Sequence, residues 1–454
     1  MIAVLYTLLA LQQQAPPPPL PPPPPPPPPP VTAIRAGTLI DGSGAAPVPN
    51  AVILLQGNRI TAVGGGPNVA IPSGATVIDL SGWTVLPGFV DAHVHLTGHI
   101  IGDGDWQHDD LIESAAQRTL LGAAHAHQTL EAGFTTVRNV GAGEFTDIAL
   151  RNAINAGWVP GPRILGAGIS FGISGGHCDG SSGFQPGSLV SRGGIETGAA
   201  DGVEQVREAV RYNVKHGADV IKICATGGVL SPADSVGVQQ YTDEEMRAVV
   251  DAARMTERRV AAHAHGLAGI KAAVRAGVTS IEHGSILDDE AVRMMKERGT
   301  YLVPTLMAGE TVERLARQTP PRLPPAIAAK ALAIAPRMRE SFRRAVNGGV
   351  KIALGTDAGV FAHGTNGHEF TLMVQFGMTP MQAIVAGTSS GATLLGLESD
   401  IGTVSAGRRA DLVAVRGNPL QTIQILENVE FVMKDGVVFK RDGQVVGRSA
   451  AGVP

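Results

Sequence analysis

The amino-acid sequence predicts an α/β fold, a (β/α)8 barrel that carries a small β-sandwich built from both ends of the chain. Strand and helix patterns alternate through residues 86–396, and eight strand candidates are each followed by a helical pattern. Short strands and turns fill residues 31–85 and 397–454. Eight strand–helix units favour a closed barrel over an open sheet, and two β-rich ends around one long middle favour pairing of those ends.

Size and charge narrow the classes of function. The chain has 454 residues, of which 44% are hydrophobic and 17% charged, so it can bury a large core and form more than one domain. A net charge of -4 gives no electrostatic reason to expect nucleic acid or an anionic membrane as a partner. Two cysteines, Cys178 and Cys224, make no disulfide framework and leave the redox compartment open.

Residues 1–30 differ in character from the rest of the chain. The apolar stretch Ile2–Leu11 is too short for a bilayer span, which needs about 20 residues. Its length suits a secretory signal, although a charged segment before it is missing, so we expect export to a bacterial periplasm or medium, with a cytoplasmic location as the alternative. The proline run Pro16–Pro30 predicts a stiff polyproline II spacer, or a disordered tail without a role.

The two β-rich ends have hairpin signals. Ala51–Leu55 and Ile60–Val63 flank the polar turn Gln56–Arg59, which predicts an antiparallel hairpin. The remaining signals are strands at Val77–Leu80 and Asp411–Val415 and turns at Asp435-Gly436 and Asp442-Gly443.

The middle region supplies the barrel elements. Its strand candidates are Thr84–Ala92, Phe134–Arg138, Arg163–Gly166, Val220–Cys224, Val260–His263, Thr279–Glu282, Tyr301–Pro304 and Ile352–Gly355. Its helical patterns are Leu111–Glu131, Phe145–Asn155, Gly202–His216, Asp243–Arg258, Leu267–Ala276, Asp288–Arg298, Ala326–Asn347, Glu369–Phe376 and Pro380–Ala386. In such a barrel the chemistry lies at the C-terminal strand ends, and we expect the loops Ile169–Ala199 and Met307–Pro325 to set specificity.

Potential metal ligands follow several of these strands. His93 and His95 are spaced i, i+2, so both project from the same face of the first strand. A bare pair of this kind could be surface histidines, but further histidines and an aspartate follow other strands. Those residues are His263, His265, His283 and Asp357. Imidazole and carboxylate groups that converge at one rim are ligands for a divalent cation.

Lys222 lies inside the apolar fourth strand, where burial disfavours a charged amine. One interpretation pairs it with a buried carboxylate. The other is that the neutral amine captures carbon dioxide, because the resulting carbamate has two oxygens that can bridge two cations. Cys224 is two residues further along on the same face and is expected to pack inside the barrel.

These motifs together resemble the amidohydrolase superfamily, in the imidazolonepropionase-related and prolidase-like branch that includes Xaa-amino-acid dipeptidases and ochratoxin amidases. The resemblance covers about residues 33–445. It rests on Pro87-Gly88-Phe89-Val90-Asp91-Ala92-His93-Val94-His95, Ile221-Lys222-Ile223-Cys224-Ala225-Thr226-Gly227-Gly228, Ala262-His263-Ala264-His265-Gly266, Ile281-Glu282-His283-Gly284 and Gly355-Thr356-Asp357.

The resemblance implies a set of roles for the six ligands. His93, His95 and Asp357 would hold one divalent metal ion, and His263 and His283 a second. Carboxylated Lys222 would bridge two zinc ions, although manganese, cobalt and iron accept the same ligands. A hydroxide between the metals would attack the scissile carbonyl.

The catalytic residues implied are Asp357 and His265. Asp357 would move the proton from the attacking water to the leaving amine. His265 would face the substrate or support the ligands from behind.

Three further residues are candidates for substrate binding. His177 lies in the glycine-rich loop after the third strand, and its alternative role is to stabilise that loop. Tyr241 could donate a hydrogen bond to the substrate carbonyl, although a helix cap at Thr242 explains its surroundings equally well. Arg138 could bind a substrate carboxylate, or form a structural ion pair.

The expected function is therefore that of a binuclear metal-dependent amidohydrolase that acts on dipeptides or N-acyl amino acids, including ochratoxin-like amides. The alternatives are an imidazolonepropionase-like cyclic amidase, a lactonase or phosphoesterase, and a deaminase. Lys222 argues against a single-metal deaminase, and the six ligands argue against a scaffold without catalysis. A homo-oligomer that binds small molecules or dipeptides is expected, with the number of subunits left open.

Overall fold

A computed structural model describes residues 30–104, 108–109, 112–185, 193–231, 234–320 and 322–446. The predictions for the apolar start and the proline run lie outside these residues. Within them, no helix combines the length and the hydrophobicity that a membrane crossing needs.

Among the described residues, fifteen strands form three sheets. The strands are β1 (Val31–Leu39), β2 (Val48–Gln56), β3 (Arg59–Gly65), β4 (Thr76–Pro87), β5 (Phe89–Val94), β6 (Phe134–Asn139), β7 (Arg163–Gly166), β8 (Val220–Cys224), β9 (Arg259–Ala264), β10 (Ser280–His283), β11 (Tyr301–Val303), β12 (Leu412–Arg416), β13 (Phe431–Lys434), β14 (Val437–Arg441) and β15 (Gln444–Val445).

Both chain ends join one eight-stranded sheet in the order β15-β14-β13-β12-β4-β1-β2-β3. Strand β12 pairs antiparallel with β4, so the C-terminal strands complete the sheet that the N-terminal strands begin. The predicted hairpins are confirmed, and Asp435 and Gly436 turn between β13 and β14 with φ of 50° and 76°. The strands form one continuous hydrogen-bonded sheet rather than two separate sheets, and its apolar core contains residues from both ends.

The middle strands are parallel, as the alternation of strands and helices predicts. They form a three-stranded sheet, β5-β6-β7, and a four-stranded sheet, β8 to β11. Single parallel bridges connect their edges, from Phe171 to Ile223, from Leu302 to Ile352 and from Val94 to Ala358. The predicted eighth strand is not a regular strand; it forms a bridge from Ile352 to Leu302, and the Leu354 carbonyl accepts a hydrogen bond from the Ala92 N–H of β5 at 2.9 Å. The chain is thus an α/β protein with parallel sheets.

Eleven α-helices are present in the described residues. They are α1 (Ala115–Glu131), α2 (Thr146–Asn155), α3 (Gly202–Lys215), α4 (Asp243–Met255), α5 (Leu267–Ala276), α6 (Asp289–Arg298), α7 (Leu306–Arg317), α8 (Pro325–Gly348), α9 (His368–Gln375), α10 (Pro380–Val385) and α11 (Gly391–Leu395). Local sequence starts several of them, since Ser114 caps α1 and Thr242 forms a capping box with Glu245 on α4.

The segment 307–325 is not the loop that was predicted. Most of it is helix α7, whose buried face includes Val312 and Leu315. The side chain of Glu369 accepts hydrogen bonds from the backbone N–H groups of Leu306 and Met307, at 2.8 and 2.9 Å. A cap supplied by a residue distant in sequence leaves no local signal for the helix start.

Candidate active site

The ends of the first and eighth strand segments meet at one group of side chains. His93 is the penultimate residue of β5, and the Nε2 atoms of His93 and His95 lie 3.5 and 3.4 Å from the same oxygen of Asp357. Two ligands bound about 2.0–2.2 Å from one tetrahedral ion would be about 3.4 Å apart. Each imidazole therefore lies at the distance from Asp357 that two ligands of one cation would have.

A second group of histidines lies beside the first. The ligand atoms of His263, His265 and His283 are all within 4.8 Å of one another, and those of His93, His283 and Asp357 form an equally tight set. His283 belongs to both sets and connects them. The arrangement offers donors for two adjacent cations.

His283 and Asp357 also have unusual backbone conformations, with φ of 68° and 63°. Residues other than glycine rarely adopt this left-handed region, and such conformations cost about 1–3 kcal/mol each when the surroundings impose them. Strain of this kind is concentrated at functional sites.

Glu282 lies behind His93 and orients its ring, a role that the sequence analysis did not assign. Its carboxylate accepts a hydrogen bond from His93 Nδ1 at 2.7 Å and one from Arg138 Nη2 at 2.8 Å. With Nδ1 engaged, the Nε2 of His93 is free to face the cation position. His95 Nδ1 bonds the Gly141 carbonyl in the same way, at 3.1 Å.

Arg138 does not fit the predicted contact with substrate. Its side chain is almost completely buried, and it donates to Glu282, to Ser280 Oγ and to the Ala92 carbonyl. Arg138 instead forms the structural ion pair that was the alternative, because it neutralises the buried carboxylate that orients His93.

Lys222 lies in the middle of these ligands. It is buried on β8 and lines the cavity, and within the described part of the chain its amine has no hydrogen bond or ion pair. Burial lowers the pKa of Lys222 to about 8, although Glu282 and Asp357 oppose the shift. The alternative of a paired lysine is not met, since Glu282 is bound to Arg138 and His93.

Burial keeps the imidazoles of the cluster neutral. It lowers the pKa of His93, His263 and His283 well below the ordinary value, and neighbouring positive groups lower it further. Burial also lowers the pKa of His95 to about 4 and raises the pKa of Asp357 to about 6. Neutral imidazoles are the form that binds metal ions, so the donor set fits divalent cations.

The cluster forms the floor of a cavity of about 380 Å³. One wall is apolar and comes mainly from α7 and α8. The side chains of this apolar wall are Ile101, Val229, Leu230, Ala308, Val312, Ile334 and Met338. A small polar floor under an apolar wall is typical of a site for a small molecule.

Comparison with known proteins identifies the family. The model of the amidohydrolase family matches residues 84–439. The chain belongs to the amidohydrolase family. The ochratoxinase of Aspergillus niger is 34% identical over 91% of this chain and 87% of its own length.

Solved amidohydrolase-like structures agree with this assignment. A Xaa-Pro dipeptidase with bound methionine is 42% identical, with a TM-score of 0.86 over 90% of this chain and 100% of that one. A prolidase complexed with N-methylphosphonate-L-proline is 32% identical, with a TM-score of 0.81 over 90% and 100%. These relatives place the chain in the prolidase-like branch and make it a hydrolase of amide C–N bonds.

Among the predicted substrate contacts of this amidohydrolase, His177 reaches the cavity and Tyr241 does not. The His177 ring stacks on His263 with centroids 4.2 Å apart, and the residue lines the cavity. Tyr241 is buried behind the site, where its hydroxyl donates to the Ala200 carbonyl at 3.0 Å. The predicted hydrogen bond from Tyr241 to substrate therefore does not fit, and Tyr241 supports the loop before α3.

His265 lies where the sequence places it, beside His283 and on the cavity surface. The two rings stack with centroids 4.8 Å apart, and His265 Nδ1 bonds Ser285 Oγ at 2.6 Å. This position is compatible with a role against substrate or in support of the ligands.

Cys224 does not simply pack inside the barrel, because it is disulfide-bonded to Cys178. The bond joins the loop that carries His177 to β8, two residues after Lys222. The sequence has only two cysteines, 46 positions apart, and such a spacing does not indicate that they pair.

Proposed function

We propose that this amidohydrolase cleaves the amide bond of dipeptides or N-acyl amino acids with the help of two divalent metal ions. The observation that carries the proposal is the approach of two imidazoles to one carboxylate, because the Nε2 atoms of His93 and His95 lie 3.5 and 3.4 Å from the same oxygen of Asp357. The second histidine set beside it supplies donors for another ion. Family membership supports metal-dependent hydrolysis in general.

In this proposal His93, His95 and Asp357 hold one metal ion, His263 and His283 hold the other, and a carboxylated Lys222 joins them. The amine of Lys222 has no hydrogen bond or ion pair among the residues that the structure describes. This supports carboxylation, because a carbamate would place negative charge among neutral imidazoles. We infer that the parallel strands close into a (β/α)8 barrel over residues 86–396, beside a β domain from residues 31–85 and 397–454. The edge bridges at Phe171, Leu302 and Val94 support that closure.

The protein groups divide the remaining work. Two bound cations, with zinc as our expectation, would supply an activated water and polarise the scissile carbonyl. Asp357 would accept the water's proton on its carboxylate and return it to the leaving nitrogen. His265 would face the reacting carbonyl, held in place by Ser285.

The apolar wall points to the substrate class. Val312, Ile334 and Met338 contribute apolar side chains to the cavity, so an apolar side chain or acyl group would pack against them and polar groups there would be disfavoured. The Xaa-Pro dipeptidase that is 42% identical was solved with bound methionine, an apolar amino acid. Bulky amides of the kind that ochratoxinase is named for are compatible with the same wall.

The test is metal analysis of the purified protein followed by a substrate screen. We expect two equivalents of divalent metal, and hydrolysis of dipeptides and N-acyl amino acids with apolar groups ahead of their polar analogues. Lys222→Ala should lose metal and activity together, whereas the matched control Lys271→Ala, which removes a surface pair with Asp288, should lose neither. Turnover of only a lactone, a phosphoester or an imidazolone would overturn the proposal, as would a fully active Lys222→Ala.

We also propose that the protein is exported. Disulfides persist mainly in oxidising compartments, and the bond between Cys178 and Cys224 supports such a location. Fractionation of native cells tests this proposal, and a protein found only in the cytosol would contradict it. The homo-oligomer stays a prediction, which light scattering of the purified protein would check.

A further inference from the structure

Helix α7 contains a glycine at the point where it lines the cavity. Gly309 lies inside the helix and its φ is not positive, so the backbone conformation does not require glycine there. Glycine is also among the least favourable residues for the interior of a helix. The reason for a glycine at this position therefore has to lie in its contacts.

That contact is made by Met338 of α8, which also lines the cavity. A Cβ atom added at Gly309 would lie 2.9 Å from Met338 Sδ and 3.3 Å from its Cε. Nonbonded heavy atoms reach their optimum at about 3.5–4.0 Å, so a methyl group at Gly309 and the present Met338 side chain cannot both be accommodated. The missing side chain of Gly309 thus provides the space in which the thioether of Met338 lies.

Helix α8 is held in place on both sides of Met338. Before it, the ammonium of Lys330 donates a hydrogen bond to the carboxylate of Asp234 at 3.2 Å. After it, the hydroxyl of Ser341 donates to the Ser285 carbonyl at 2.8 Å. These contacts fix the backbone of α8 against the loops that follow two barrel strands.

Helix α7 is fixed in a similar way. The carboxylate of Glu369 accepts the Leu306 N–H at the start of the helix, at 2.8 Å. One turn beyond Gly309, the Glu313 carboxylate accepts a hydrogen bond from Arg339 of α8, also at 2.8 Å. Because these contacts hold the two helices at a set spacing, added bulk at Gly309 would displace the side chain next to it rather than a helix.

The cavity is the open space that Met338 borders. The side chain is otherwise buried in the close-packed apolar core. Methionine is unbranched and flexible, so its side chain can change shape without a change in the backbone. A Met338 side chain displaced from Gly309 would therefore fill part of the cavity of about 380 Å³, whereas its present position leaves that volume open.

We propose that Gly309 and Met338 are specificity-determining residues, which together give the cavity room for a large apolar group such as the side chain of methionine, leucine or phenylalanine. The proposal rests on the proposed amide hydrolysis and narrows its substrate class to amides that carry such a group. A small side chain would leave the wall uncovered, and a charged one would lose its hydration there. The proposal places no condition on the scissile nitrogen, so prolyl amides belong to the class.

The activity test uses two pairs of substrates with the metal-loaded enzyme. The dipeptides Phe-Pro and Ala-Pro differ on the acyl side of the amide, and N-acetylphenylalanine and N-acetylalanine differ on the amine side. We expect the wild type to prefer the phenylalanine member of at least one pair by about 10-fold or more in kcat/KM, because apolar contacts in a pocket can discriminate by about 10–200-fold. Gly309→Ala should remove most of that preference, and the pair that responds identifies the half of the substrate that lies against Met338.

A double variant tests whether Gly309→Ala acts through Met338. The change Met338→Ala removes the side chain that would be displaced, so the double variant Gly309→Ala/Met338→Ala should regain the preference for the phenylalanine substrate. Gly82→Ala is the matched control, because a Cβ atom there meets no described atom within 4 Å, and it should keep the wild-type preference. A wild type without the preference, a Gly309→Ala variant that keeps it, or a loss that the double variant does not reverse would overturn the inference.

A second measurement does not depend on turnover. In a crystal structure of the Gly309→Ala variant, we expect the Met338 side chain to point into the cavity while α7 and α8 keep their spacing. Helices that had moved apart and left the cavity open would overturn the inference. If the wild type hydrolyses no amide, the proposed function fails, and the position of Met338 in this variant still decides whether Gly309 and Met338 set the size of the cavity.

Discussion

Two clusters of ionisable side chains join distant parts of this chain, and they differ in whether their charged and polar groups find partners within the protein. One, which we call the junction cluster, links the eight-stranded sheet to the parallel strands and consists of Arg59, Arg163, Asp400, Arg409, Asp411 and Asp435. The other, the histidine cluster, forms the cavity floor and consists of His93, His95, Lys222, His263, His265, His283 and Asp357.

The junction cluster is complete without any ligand. Arg163 bonds Asp411 and Asp435 at 2.8 and 2.9 Å, and Arg409 bonds Asp435 and Asp400 at 2.8 and 2.7 Å. Although burial raises it, the pKa of Asp435 is lowered overall by Arg163 and Arg409. Opposite charges that satisfy one another contribute to stability and offer nothing to a substrate.

The histidine cluster is the reverse case. Its imidazoles are neutral, they would repel one another if protonated, and their donor atoms lie close enough together to bind an ion. Two of its members are also held in left-handed backbone conformations. The comparison indicates that the histidine cluster lowers the stability of the fold and that the junction cluster and the core compensate for it, as is common for functional sites.

The sharpest test replaces one aspartate in each cluster. Asp357→Asn should lower kcat by about 10²–10⁴-fold, because the proton acceptor is removed, and should leave the unfolding temperature of the metal-free protein no lower. Asp435→Asn should keep kcat and lower the free energy of unfolding by about 1–2 kcal/mol, because two arginines lose a charged partner. Steady-state kinetics and denaturant unfolding measure both. Near-normal turnover in Asp357→Asn would remove it from catalysis.

Metal removal should change stability through the histidine cluster alone. An ion that binds only the folded state at 100 times its Kd adds about 2.7 kcal/mol to stability, so chelation should lower the unfolding temperature and zinc should restore it. Lys222→Ala should reduce the response to zinc, whereas Asp435→Asn should keep the full response from a lower starting point. Calorimetry with and without chelator provides the measurement. An unfolding temperature that chelation left unchanged would contradict a contribution of the metal to the stability of the fold.

The convergence of the histidine cluster could be predicted from the sequence, whereas that of the junction cluster could not. His93, His283 and Asp357 each follow a predicted strand, and the C-terminal ends of parallel strands meet at one edge, so their convergence could be inferred. Arg163 and Asp435 lie on elements whose packing no local pattern specifies. The same limit applies behind the site, where Glu282, Asp234 and Lys330 act through contacts between distant segments.

The elements that were missed have similar causes. Helix α7 begins at a cap provided by Glu369, and the disulfide joins Cys178 to a strand that is 46 positions away. Arg138 and Tyr241 are candidates for substrate binding because of their chemistry at a strand end or a loop, and each has a structural alternative. Burial, which the sequence does not report residue by residue, makes both of them internal partners instead.

The smallest expected effect concerns acid, which should reduce the stability contributed by the two clusters in different pH ranges. In the metal-free protein the folded-state pKa of His93, His263 and His283 is depressed, so the unfolded chain binds more protons and stability falls as the pH drops below about 6.5. The depressed pKa of Asp435 in the folded state contributes stability above about pH 3.9, which is lost only as the pH falls through the folded value.

Denaturant midpoints of metal-free wild type and Asp435→Asn, measured from pH 7 down to pH 3, test this separation. Both proteins should weaken together below about pH 6.5, since both keep the histidine cluster. The difference between them should stay constant down to about pH 4 and shrink only below it, because protonation then removes from the wild type the charge that the variant already lacks. If the difference in stability between the two proteins disappeared near pH 6, the two clusters would be electrostatically coupled. The junction cluster and the histidine cluster could then not be treated as independent.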